Sequence, residues 1–173
     1  LLARLRLLVK RKVLSRFASI SLKNRTALIK NIQLELNELA PSTLFPARTQ
    51  FLLTQSPLTL KFLNIEKQFS PPIDWRPKYL QTGTRLWLLN LHYMEFLEAV
   101  DDESFIKLVL DWIDSNIPYD SGYWLDSWNS YSLSIRVVVW MQQITRRNLS
   151  LTYEESQLIV GSLNAQLRFL TSN

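Results

Sequence analysis

Apolar positions recur at helical spacing over most of the chain and lose that rhythm in one stretch. Leu2, Leu5, Val9, Val13, Phe17 and Ile20 form a stripe with Arg4, Lys10, Arg11, Lys12 and Arg16 largely off it, which predicts a basic amphipathic helix over 1–20. A second helical stretch runs from about 22 to 39 and ends before Pro41. Between 41 and 84 lie six of the seven prolines, with short apolar runs such as Phe51–Leu53 and Leu58–Leu63. That predicts a loop-rich segment with one or two short strands. Four helical patterns follow, at about 85–100, 103–115, 127–146 and 152–171. Leu86, Leu89, Tyr93, Leu97 and Val100 make the stripe of the first. Asp101 or Asp102 can cap the second, and Thr152 with Glu155 reads as a capping box for the fourth. The expected fold is mostly α, with stacked antiparallel helical hairpins after a loop-rich segment. Its three parts are residues 1–40, 41–84 and 85–173.

At 173 residues and 47% hydrophobic content, the chain can bury a core of its own or belong to a larger one. It begins with Leu1 and stops at Asn173 inside a helical pattern, so both ends read as cut. No cysteine is present, which excludes disulfides, thiolate metal sites and a cysteine nucleophile. The single histidine, His92, excludes a multi-histidine metal centre. No metal or cofactor is expected, nor any nucleic-acid partner or stable membrane insertion. The net charge of +5 is local: nine of the twenty basic residues fall in the first thirty positions, and the first acid is Glu35. That segment either adsorbs on a polyanion or membrane surface or docks its apolar face on the rest of the protein.

All six tryptophans and five of the six tyrosines lie between Trp75 and Trp140. Trp87, Trp112 and Trp140 recur on apolar helix faces and read as core. In the loop 117–130, Tyr119, Tyr123, Trp124 and Trp128 sit among Asp120, Asp126 and Asn129. Rings beside short polar groups suit a sugar-binding cleft, and equally a plug for the end of a helical stack. Arg136 is the only charge between Asp126 and Arg146, in an apolar run and on one helical face with Ser132 and Trp140. Buried, it needs a partner: a carboxylate such as Asp126 or Asp111, or else an acidic ligand. Asn90 and His92 are two positions apart, about 200° around a helix, so one ligand cannot take both from the same turn.

These residues carry a resemblance. Phe62-Leu63-Asn64, Ile73-Asp74-Trp75, then Arg85-Leu86-Trp87 through Asn90-Leu91-His92-Tyr93, then W-N-S-Y-S-L-S-I-R-V-V-V-W from Trp128 to Trp140 resemble the N-terminal domain of the heparinase II/III-like polysaccharide lyases, over about residues 58–145. The resemblance implies an incomplete α/α toroid, followed in the full-length protein by a β-sandwich. It also implies a secreted or periplasmic location and β-elimination on acidic, uronic-acid-containing polysaccharide. That reaction must neutralise the uronate carboxylate, remove the C5 proton and protonate the leaving oxygen. The family's asparagine-histidine pair for the carboxylate has no counterpart here, so no catalytic residue is expected in this chain. The substrate-binding candidates are Asn90, His92, Tyr123, Trp124, Trp128, Tyr131 and Arg136, with Tyr93 and Ser134 as further motif members.

Overall fold

The computed structural model describes residues 54–55, 58–77 and 85–172. The expected helices over 1–20 and 22–39, and the run Phe51–Leu53, lie outside the described residues. What is described is mostly helical, with one small sheet.

Strands β1 (Thr54–Gln55), β2 (Leu58–Phe62) and β3 (Ile65–Phe69) form an antiparallel sheet in that order, with Phe62 opposite Ile65. The two-residue turn Leu63-Asn64 has φ of 52° and 61°, the double left-handed geometry that matches the twist of paired strands. Asn64 suits it, whereas Leu63 is an unusual occupant for that conformation. The buried Leu58, Leu60 and Phe62 of β2 face the helices. Phe62 meets Trp87 edge-on at 5.0 Å, Phe69 stacks on it at 5.9 Å, and Trp87 Nε1–H donates to the Ile65 carbonyl at 2.9 Å. One tryptophan therefore seats the hairpin.

Helix α1 (Arg85–Tyr93) does not run on to residue 100 as its pattern predicts. Met94, fully buried, takes a left-handed φ of 57°, and a 3-10 helix (Glu95–Ala99) follows. The expected stripe holds only in part: Tyr93, Leu97 and Val100 are buried, but Leu86 is 54% exposed and Leu89 half-buried, and α1 buries Trp87, Leu88 and Leu91 in their place. Helix α2 (Asp102–Ser115) is capped by Asp101, whose carboxylate accepts from Ser104 N–H at 2.7 Å, and it buries Phe105, Val109 and Trp112. Helix α3 (Ser130–Arg146) starts three residues later than the pattern suggests, because Asn129 is its cap. At α4 (Tyr153–Ser172) the capping box is present as expected: Thr152 N–H donates to Glu155 at 2.8 Å and Glu155 N–H to Thr152 at 3.2 Å. Helix α3 packs on α1 and the 3-10 helix, and α4 packs on both α2 and α3. Between them, Trp87, Trp112 and Trp140 are each 0% exposed, the core role expected of them.

Candidate functional site

Arg136 is wholly buried, yet its partner is neither Asp111 nor Asp126. Asp111 instead accepts from Trp75 Nε1–H at 2.8 Å and Ile73 N–H at 3.3 Å, clasping the chain ahead of α1 to α2. The Arg136 guanidinium donates through Nη1 to the His92 carbonyl and through Nε to Gln166 Oε1, both at 2.9 Å, and its carbon lies 3.8 Å from the centre of the Trp112 ring. The reason is the break at Met94. A helix leaves its last four carbonyls without intrahelical donors, and the end of α1 at Tyr93 makes the His92 oxygen one of them. A cation there also meets the negative end of the helix dipole. Arg136 thus caps α1 from a different helix, with the indole face as a third contact. Arg147 repeats the device eleven residues on, donating to the Leu97 carbonyl of the 3-10 helix at 2.8 Å and to Asp102 at 2.7 Å. With no anion in contact, burial pushes the Arg136 pKa down.

His92 is also fully buried, with its ring 6.3 Å from Trp75 and 6.5 Å from Trp112. Trp112 Nε1–H donates to His92 Nδ1 at 3.2 Å, so the neutral ring carries its proton on Nε2. Burial, then the Arg136 charge, then Arg76 hold its pKa well below the usual value. It is a neutral core histidine and not a proton shuttle. Asn90 is half-buried and donates to the Leu86 carbonyl one turn back on its own helix.

The aromatic loop closes the end of the helices. Tyr123 is 2% and Trp128 3% exposed, and both rings pack against Phe169 of α4, at 5.9 and 5.2 Å. Trp128 Nε1–H donates to the Asn116 carbonyl at 2.9 Å. Their faces are covered, so the sugar-stacking role expected of these two rings gives way to the plug. Trp124 is half-buried against the edge of Tyr123. Positive φ at Tyr119 and Gly122 turns the loop, and Arg76 pins it by donating to Asp120, Ser121 and Ser115. The Asp126 carboxyl is pushed up by burial, against the opposing pull of Arg85 and Arg76.

Of the seven candidates, Tyr131 alone offers an open ring, at 63% exposed. It meets Tyr93 edge-on at 5.6 Å on the wall of a groove of about 500 Å³ between α3 and the 3-10 helix. Ile135, Val138 and Val139 add apolar lining, Ser134 and Gln142 add polar lining, and Glu95 and Glu98 supply the charge. Burial, Tyr131 and Glu95, in that order, raise the Tyr93 phenol pKa. This groove was not visible from sequence, since it exists only because the helix breaks at Met94. Its charge is wrong for a uronate, which the two glutamates repel.

Compared with protein families, with curated proteins and with solved structures, the chain matches none. Among the described residues no cluster of three or more histidine, aspartate or glutamate side chains could hold a metal ion, and no helix is long and apolar enough to cross a membrane.

Proposed function

We propose that this chain is the N-terminal, noncatalytic part of a polysaccharide lyase that cleaves uronic-acid-containing polymers by β-elimination, its helices being the first hairpins of an α/α toroid. One observation carries the reading. Residues that bear the sequence resemblance fasten the core: Trp87 seats the hairpin, the His92 carbonyl takes Arg136, and Trp112, from α2 between the motifs, bonds His92 and lies under Arg136. A signature made of core fastenings fits a scaffold, and a scaffold role explains why His92 and Arg136, the groups best suited to handle a carboxylate, are sealed from solvent. The three tasks of the elimination then fall to groups supplied by other parts of the protein, and the location outside the cytoplasm follows from the same resemblance.

The test is the appearance of the unsaturated uronate chromophore on a panel of uronic polymers. Residues 1–173 alone should release none, and a longer chain encoded contiguously should. Turnover by 1–173 refutes the scaffold role, and a longer chain inert on every uronic polymer refutes the lyase.

A further inference from the structure

Among the described residues, Ser132 Oγ, Arg136 Nη2, Trp140 Nε1 and Asn116 Oδ1 are sealed from the surface and have no protein partner. The first three residues stand at i, i+4 and i+8 on α3, so one inward face of that helix carries them on successive turns, about 6 Å apart along its axis. Trp112 of α2 joins them to the fourth. Its ring lies under the Arg136 guanidinium and 5.5 Å from the ring of Trp140, and its carbonyl accepts from Asn116 Nδ2 at 3.0 Å. Trp128 closes the circle: it lies 6.3 Å from Trp112, donates to the Asn116 carbonyl, and precedes Ser132 by four residues. A fifth such atom, His92 Nε2, belongs elsewhere, close enough to the Trp75 backbone for that group to pull the ring's pKa upward.

We propose that these four atoms line a site for buried water, with one molecule held between Arg136 Nη2 and Ser132 Oγ and a short chain leading from it to Trp140 Nε1 and Asn116 Oδ1. In folded proteins nearly all buried polar atoms bond either to protein or to ordered water. The donor and acceptor inventory selects the occupant. Arg136 Nη2 and Trp140 Nε1 can only donate, Asn116 Oδ1 can only accept, and the Ser132 hydroxyl does both. Water accepts from the first two and donates to the third. A halide would serve the donors but set its negative charge against the Asn116 oxygen, and the guanidinium repels a metal cation. Internal waters occur at roughly one per 27 residues and make two to four bonds each, which is the number of partners offered here. The water then takes the place of the carboxylate that Arg136 lacks. It solvates the third guanidinium nitrogen, while Nη1 and Nε hold α1 and α4, and it extends the polar network to the end of α2 at Asn116.

The test is a crystal structure of the whole chain at a resolution that shows ordered water. A density peak should lie about 2.7–3.2 Å from both Arg136 Nη2 and Ser132 Oγ. A crystal soaked in bromide adds a second arm, since an anomalous peak beside Nη2 assigns the place to an anion and overturns the proposal. A Ser132 hydroxyl turned onto the Trp128 carbonyl, with no density beside the guanidinium, overturns it as well. In solution, magnetic relaxation dispersion of the solvent counts slowly exchanging waters. Ser132→Ala should lose at least one of those in the parent. Ser134→Ala, whose exposed hydroxyl donates to the Tyr131 carbonyl at 2.8 Å, should lose none. Equal counts in the parent and Ser132→Ala would refute the site.

Discussion

Replacing Arg136 by alanine removes two hydrogen bonds from a buried cation and one stacked indole, but it strands no buried carboxylate. Charge-assisted bonds are worth about 1.5–3 kcal/mol each, and the Gln166 and His92 oxygens left without donors add about 1–3 kcal/mol apiece. Against these stands the relief of desolvating the guanidinium, several kcal/mol. The cavity left by the missing side chain adds to the cost. The balance is a destabilisation of about 2–4 kcal/mol, a large share of the stability of an ordinary domain. Arg136→Lys should fare little better, because one ammonium cannot reach both oxygens in the plane that the guanidinium offers. The decisive variant is Arg136→Met with Gln166→Leu. It removes a donor and an acceptor together, so the pair should cost less than the sum of the single changes. Urea unfolding with constant slope measures these variants and the two single changes. An Arg136→Ala midpoint within about 1 kcal/mol of the parent, or strict additivity in the double variant, would refute the capping role.

Below pH about 6.5 the unfolded chain takes up a proton that folded His92 refuses. The contribution of His92 is therefore complete above that pH and is lost as pH falls toward the depressed folded value, at up to about 1.4 kcal/mol per unit. Urea midpoints at pH 7.5, 6 and 5 should show this slope in the parent and a shallower one in His92→Gln. Asp111→Ala leaves Trp75 Nε1–H and Ile73 N–H without an acceptor and should cost about 1–3 kcal/mol, whereas Asp111→Asn, which keeps one acceptor oxygen, should cost less by thermal melting. Thr152→Ala removes half of the capping box and should lower stability by about 1 kcal/mol, read in the same melts as loss of helical circular dichroism.

The helices were legible because apolar residues recur along them at helical spacing and two of their caps, Asp101 and the Thr152–Glu155 box, carry distinctive side chains, whereas the Asn129 cap that delays α3 was missed. The break at Met94 was not, since methionine carries no signal for a left-handed turn and apolar residues continue on both sides of it. The same break hid the groove and the partner of Arg136. A lone charge in an apolar run announced burial, but its acceptors are a carbonyl freed by the break and a glutamine thirty residues away, neither of which stands out in a sequence. Tyr123 and Trp128 were ambiguous for another reason. An amphipathic ring suits a sugar face and a plug equally well, and only the position of Phe169 decides between them.

A helix end capped from outside also acts as a ruler. The His92 carbonyl reaches Arg136 only if α1 stops at one residue, and Trp87 reaches Ile65 only if five positions separate it from that histidine. One residue inserted between Trp87 and His92 turns the latter by about 100° and advances it by about 1.5 Å, so it cannot satisfy both ends. The Leu63-Asn64 turn has no such constraint: it is a solvent-facing loop tip, and added length there displaces nothing in the core. Tolerance of insertions in this protein is thus set by which carbonyls an arginine must find, and only secondarily by how deeply a segment is buried.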